Sequence, residues 1–341
     1  MSTASGHRIV VTGATGNVGT ALIRLLSEDP AVGSVLGIAR RVPDRQPPGT
    51  EWAGVDLAAD TGLAEYFKGA DAVVHLAWQF QPARDPAATW RTNVLGSVQV
   101  FRAAAAAGVP ALVHASSVGA YSPGPKDRAV DESWPTHGWP EAAYCREKAY
   151  LERALDSFER EHPEVRVVRM RPAFLFQEQS ASEQRRLFAG RLKPGQLARP
   201  ELLPFLPGIP GLRFQALHTD DAARAYRTAL TADVHGAFNL AAEPPLDAKV
   251  LGELFHSRVV PLPRRAARSA LAAAWGLHLV PASPQLFDAV LRLPMMDCTR
   301  AREELDWSPE RTAVEAVEEL LHGLRHGAGM ETPPMEGRKV G

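Results

Sequence analysis

The most constraining stretch of the chain stands near its start. An apolar run over residues 7–12 leads directly into Gly13-Ala14-Thr15-Gly16-Asn17-Val18-Gly19, and a helix-forming run follows through residue 26. Glycines let a backbone turn tightly and approach a ligand closely, and a helix N-terminus offers unpaired N–H groups to an anion. The spacing Gly-x-x-Gly-x-x-Gly is one residue wider than the usual dinucleotide fingerprint, and a plain turn would also use glycine. A strand before and a helix after favour a pyrophosphate-binding turn, with Gly13, Thr15, Gly16, Asn17, Val18 and Gly19 at the cofactor.

The remaining pattern agrees with that reading. Apolar strands are expected at 34–39, 71–77, 111–116, 165–169 and 237–241. Helices are expected at 19–26, 92–107, 144–159 and 222–230. Near-continuous apolar strands alternating with helices specify an α/β fold, here a Rossmann-type doubly wound parallel sheet, which binds ligands beyond the carboxyl ends of its strands. Residues 177–212 are rich in Pro, Gly, Gln and Arg without a period, and 246–325 read as mainly helical. The expected division is a dinucleotide-binding domain of 1–172 with 213–245, and a smaller, mainly helical substrate lobe of 173–212 with 246–326. Residues 327–341 are expected to form a flexible tail.

Charge narrows the partners. Lys and Arg total 38 against 39 Asp and Glu, a formal net charge of −1, which excludes nucleic acid or an anionic membrane held by bulk electrostatics. The Ala/Leu-rich stretch 266–282 is broken by Arg268, His278 and Pro281, too interrupted to span a bilayer. No signal-peptide pattern is read at the start. Cys145 and Cys298 lack metal-ligand spacing, so no metal is expected and a reduced, cytoplasmic protein is.

The end of the second strand indicates which nicotinamide cofactor fits. An acid there accepts ribose hydroxyls, whereas arginine meets a 2′-phosphate. Here Ala39 stands about where the acid would be and Arg40-Arg41 follow, so NADP(H) is favoured over NAD(H). Two solvated arginines are the plainer account. Asp56 is placed beside the adenine, with a surface aspartate nearly as good a reading.

Tyr144-Cys145-Arg146-Glu147-Lys148 sets Tyr and Lys four apart, on one face of a helix. Only six residues are lysine, so a lysine inside a motif is informative. A phenol is a poor base at pH 7, and an adjacent ammonium stabilises the phenolate. The chain resembles the extended short-chain dehydrogenase/reductases of the NAD(P)-dependent epimerase/dehydratase family. The likeness rests on the glycine turn, His75-Leu76-Ala77, Asn93-Val94-Leu95-Gly96, Ser116-Ser117-Val118-Gly119-Ala120-Tyr121, the Tyr144–Lys148 segment, Arg171-Pro172, His218-Thr219-Asp220-Asp221-Ala222 and Asp297 to Pro309, in order.

The resemblance implies Tyr144 as general acid/base, Lys148 on the nicotinamide ribose and lowering the tyrosine's pKa, and Ser117 on the reacting oxygen. Ser116 is its neighbour and rival. It also implies Leu57, Leu76 and Ala77 at the cofactor, and Asn93 as a relay or structural residue, with a helix N-cap an equal account. Dehydratases of the family carry acids inside the segment that here reads Ser117-Val118-Gly119-Ala120-Tyr121, so dehydration is disfavoured. Ala173-Phe174-Leu175-Phe176-Gln177 departs from the epimerases' Asn and Gly-Pro, which argues against a nucleotide-sugar substrate.

Trp78, Gln79 and Phe80, with Trp134, His137 and Trp139, either line a substrate pocket or pack the lobes. Arg213 either binds a substrate phosphate, as in sugar-nucleotide members, or is solvated. The favoured function is an NADP(H)-dependent carbonyl reductase or alcohol dehydrogenase acting on a small molecule. An NAD-dependent sugar-nucleotide epimerase and a non-catalytic dinucleotide sensor are the alternatives. The resemblance also implies a homodimer, through the helices at 92–107 and 144–159.

Overall fold

In the computed structural model, residues 6–44, 46–59, 62–81, 83–190, 204–332 and 334–336 are described. Seven parallel strands form the central sheet: β1 His7–Thr12, β2 Val32–Ala39, β3 Thr50–Gly54, β4 Ala72–His75, β5 Ala111–Ala115, β6 Arg166–Pro172 and β7 Gly236–Leu240. Their order is β7-β6-β5-β4-β1-β2-β3, so the direction of winding reverses between β1 and β4. Such a reversal opens a crevice at the carboxyl ends of the strands.

Both faces of the sheet are covered, which is why its strands are apolar along their whole length. On one face Ile9, Val11 and Val74 pack with helix α1 (Asn17–Glu28) and with Tyr226 of α4 (Thr219–Thr231). On the other, Val10, Val73 and Leu112 meet Phe101 of α2 (Gly96–Ala106) and Leu151 and Leu155 of α3 (Ala143–Glu161). β3 was not expected from the sequence; its Thr50-Glu51-Trp52-Ala53-Gly54 is a half-exposed edge strand without a strong apolar run. The expected strand 71–77 ends at His75, and the loop that follows faces the crevice.

The second lobe carries more strand than its composition suggests. Arg213–His218 pairs antiparallel with Ala242–Asp247 and parallel with Phe174–Phe176, in a three-stranded sheet apart from the main one. Phe205–Gly208 pairs with Arg258–Pro261. The strand at 213–218 thus joins the sheet of the smaller lobe rather than the dinucleotide-binding sheet. In the reverse sense, helix Ala313–His326 sends Val317 and Leu321 into the main core, closed at its start by a Thr312–Glu315 capping box. Of the expected tail 327–341, residues 333 and 337–341 lie outside the described residues; Met335 is fully buried beside Thr20, its sulfur 3.7 Å from the hydroxyl.

Candidate active site

The crevice holds a cavity of about 290 Å³. Gly13, Thr15, Gly16, Arg40, Arg41, Asp56, Leu57, Leu76, Ala77, Trp78 and Phe80 all line it, so most of the sequence-predicted cofactor residues converge on one space. Gly13 has φ +72°, and a Cβ there would stand 2.6 Å from the backbone of Ala77. A Cβ on Gly19 would meet the Gly13 carbonyl at 2.3 Å; that glycine lets α1 pack on the turn and does not face the cavity. No side chain caps the first amides of α1, which leaves its N-terminus open to an anion.

Asn17 and Val18 do not line the cavity. The Asn17 carboxamide oxygen accepts from Gln177 at 2.7 Å and from the Thr219 hydroxyl at 3.2 Å, so this side chain ties α1 to the neighbouring elements. Val18 packs against the core. Arg40 donates to the Gln79 side chain at 3.0 Å, and Asp56, exposed, accepts from the Ala58 N–H at 3.1 Å.

A second cavity, of about 60 Å³, adjoins the first across the shared loop 78–81. Tyr144 of α3 lines it, and the phenol donates to Ser117 Oγ at 2.8 Å. Ser117 is fixed in turn by the Gly119 N–H at 2.9 Å. A Cβ on Gly119 would fall 2.6 Å from the Tyr144 ring, so this glycine makes room for the tyrosine. Ser116 turns the other way, donating to Glu152 at 2.5 Å, which separates the roles of the two serines.

Lys148, one turn after Tyr144, is buried; its ammonium donates to the Ala115 carbonyl at 2.6 Å and lies 3.5 Å from the centre of the Trp78 ring. Burial pulls its pKa down to about 7, against the raising influence of Glu147 and Glu152. Burial pushes the Tyr144 phenol well above its usual value, opposed by the bond to Ser117. The lowering of the tyrosine's pKa by Lys148 is therefore not realised in this geometry. The ammonium is spent on Ala115 and Trp78, and desolvation prevails.

Asn93 and Glu147 form a network of their own. Asn93 lies in a π-turn, Arg91–Leu95, rather than at a helix start, so it is not an N-cap. Its side chain takes the Gln79 N–H at 2.7 Å and donates to the Gln79 carbonyl at 2.9 Å and to Glu147 at 2.7 Å. Thr89 donates to the other Glu147 oxygen at 2.6 Å. These bonds hold the Trp78–Phe80 loop, which caps the tyrosine: Phe80 stacks on Tyr144 with ring centres 5.3 Å apart, and Trp78 stands edge-on at 5.6 Å. Sequence reasoning passed over Glu147, although it lies within the tyrosine–lysine motif.

Among the described residues no lysine or arginine lines the smaller cavity, and its one charged group is Glu147. Arg213 donates to the Lys126 carbonyl at 2.8 Å, and like Trp134, His137 and Trp139 it lines neither cavity. No His/Cys/Asp/Glu cluster able to hold a metal occurs among the described residues, and no described helix is long and apolar enough to cross a membrane.

The family model described as NAD dependent epimerase/dehydratase matches residues 9–241. An uncharacterized protein of Mycobacterium tuberculosis is 28% identical over 336 residues, covering 95% of this chain and 31% of the relative. The chain thus spans about a third of the length of the first curated relatives it matches. The NAD-dependent glucose-6-phosphate dehydrogenase of Haloferax volcanii is 30% identical over 199 residues, 52% of this chain and 72% of the relative. In fold, a UDP-glucose 4-epimerase of Thermotoga maritima superposes with a TM-score of 0.70 at 20% identity, covering 94% of this chain and 99% of that one. With the glycine turn, the tyrosine–lysine helix and the matching family model on the same sheet, the chain belongs to the NAD dependent epimerase/dehydratase family.

Proposed function

We propose that the protein is an NADP(H)-dependent oxidoreductase of the carbonyl reductase or alcohol dehydrogenase type, acting on a small molecule. The observation that carries this reading is the 2.8 Å hydrogen bond from Tyr144 to Ser117, with Tyr144 lining a cavity that adjoins the one rimmed by Arg40 and Arg41. The open N-terminus of α1 and the turn at Gly13 suit a pyrophosphate, and the arginines suit a ribose phosphate. A bound nicotinamide supplies or takes up the hydride.

Ser117 orients the substrate oxygen, and Tyr144, protonated by virtue of its burial, gives that oxygen a proton during reduction. In the oxidative direction Tyr144 must lose its proton, and the Lys148 ammonium, one turn along the same helix, would favour the phenolate. Asn93 acts by holding Gln79 and the aromatic loop, not by touching the reacting atoms. The lack of a lysine or arginine among the described lining of the smaller cavity supports an uncharged substrate.

The second reading is a sugar-nucleotide 4-epimerase, favoured by the family match and by the fold likeness to a UDP-glucose 4-epimerase. The glucose-6-phosphate dehydrogenase relative supports sugar oxidation without a nucleotide. Purification separates the two: an exchangeable NADP(H) supports the reductase, whereas retained, non-exchanging NAD with turnover of a UDP-sugar overturns it. We also propose a homodimer across α2 and α3, where Leu95, just before α2, and Tyr150 of α3 are exposed, 49% and 47% accessible. Sedimentation of Leu95→Asp checks it; this variant should run as a monomer.

A further inference from the structure

The second lobe also reaches the larger cavity. Its helical segment 178–189 brings Glu183 and Arg186 to the same lining as Gly16, Arg40 and Arg41. Arg186 is anchored: one terminal nitrogen donates to the Pro334 carbonyl at 2.6 Å and the other to the Glu336 carbonyl at 2.8 Å. A guanidinium has five N–H groups, so three remain for a ligand. Pro334 lines the cavity too, and Met335 beside it is buried, so the anchor is itself packed.

Burial and the charges of Arg185 and Arg41 hold Arg186 below the usual arginine value, opposed by Glu183 and Glu336. Three guanidiniums gathered at one cavity repel each other, and an anion among them removes that cost. Glu183 is the countervailing group. Burial raises its carboxyl to about 7, so it is partly neutral near neutral pH, and no described hydrogen-bond donor reaches it.

We propose that Arg186 is a specificity-determining residue for NADP(H), the second lobe's contribution to a phosphate site begun by Arg40 and Arg41 and held in place by the carbonyls of Pro334 and Glu336. The inference rests on the NADP(H) reading above. An arginine borne on the second lobe ties the seating of that lobe to the presence of the 2′-phosphate, which NADH lacks. Glu183 acts against the phosphate when ionised, so the two residues, one helical turn apart, should have effects of opposite sign.

Dissociation constants of NADPH and NADH are measured on the full chain by protein fluorescence, with thermal melts as a check on folding. Wild type should bind NADPH at least about tenfold tighter than NADH. Arg186→Met should weaken NADPH about tenfold and leave NADH within about twofold, while Arg186→Lys, which keeps the cation, retains most of the preference. Glu183→Gln should bind NADPH about twofold or more tighter than wild type. Equal losses for both nucleotides, or none, in a folded Arg186→Met overturn the inference while the NADP(H) reading stands. A wild type that prefers NADH overturns that reading, and the inference with it, before any variant is compared.

Discussion

The Tyr144 cluster and the arginine rim of the larger cavity are neighbours built by opposite means. Around Tyr144 the polar groups of the network are buried and bonded to fixed partners: Ser117 to Gly119, Asn93 to Gln79, Glu147 to Thr89. At the rim Arg40 and Arg41 are exposed, and among the described residues Arg40 has one side-chain bond, to Gln79. Geometry set in advance suits proton transfer, where a small displacement is costly. Exposed charge suits the capture of an anion, at the cost of sensitivity to salt. The same loop, 78–81, serves both regions, so changes on one side can be tested for their reach into the other.

The largest effect is expected at the centre of the buried cluster. Tyr144→Phe should lower turnover roughly a thousandfold, since it removes the group that exchanges the proton, and leave NADPH affinity unchanged. A fall in cofactor affinity of similar size, measured by fluorescence titration, would break the separation between the two regions.

Next comes the support beneath the cluster. Glu152 is buried and takes two bonds from Arg171, at 2.9 Å each, and one from Ser116. Burial disfavours its charge, but Arg171, Arg169 and Ser116 together outweigh that and bring its pKa down to about 2. Glu152→Ala leaves Arg171 in the core without a carboxylate partner, while Arg169 keeps Asp156 and Glu159, and should cost about 3–5 kcal/mol in chemical denaturation. The folded pKa lies below that of a free carboxylate, so this stabilisation is complete above about pH 4.5 and is lost as pH falls toward 2. In Glu152→Gln the loss of stability on the acid side should be correspondingly smaller. A rim substitution, Arg40→Gln, should change stability by no more than about 0.5 kcal/mol.

The rim's own test is electrostatic. Arg40→Gln and Arg41→Gln should each weaken NADPH about tenfold, leave NADH within about twofold, and flatten the dependence of NADPH affinity on ionic strength. Retained NADPH preference and salt dependence in the double variant would shift the phosphate site away from this rim.

What the sequence revealed follows the same divide. Gly13, Gly16 and the tyrosine–lysine pair were legible because their demands are local: a φ of +72°, a helix start, a four-residue spacing. Arg186 and Glu183 were not, because they lie in a stretch without a period and meet the cavity only through the seating of the second lobe. Glu147 sat inside the recognised motif, yet its importance depends on Thr89 and Asn93, more than fifty residues away. At Asn17 the turn is as expected, but the side chain is held by Gln177 and Thr219 across the fold, which no local pattern foretells. The strand at 213–218 was not read from the sequence, and its pairing with Phe174–Phe176 across the fold decides the sheet it joins.

Asn17 and Asp56 provide the finest test, because both were read as cofactor residues and only Asp56 lines the cavity. Asn17→Ala removes bonds to Gln177 and Thr219 and should cost about 1 kcal/mol of stability, with NADPH affinity unchanged within about twofold. Asp56→Asn keeps an oxygen for the Ala58 N–H and removes one negative charge from the cavity lining. If the rim acts through charge, that change should favour the more anionic nucleotide and tighten NADPH by up to about threefold, with a smaller change for NADH. Equal small changes for both would mean that Asp56 meets the adenosine through shape alone, and that the rim's selectivity belongs entirely to its arginines.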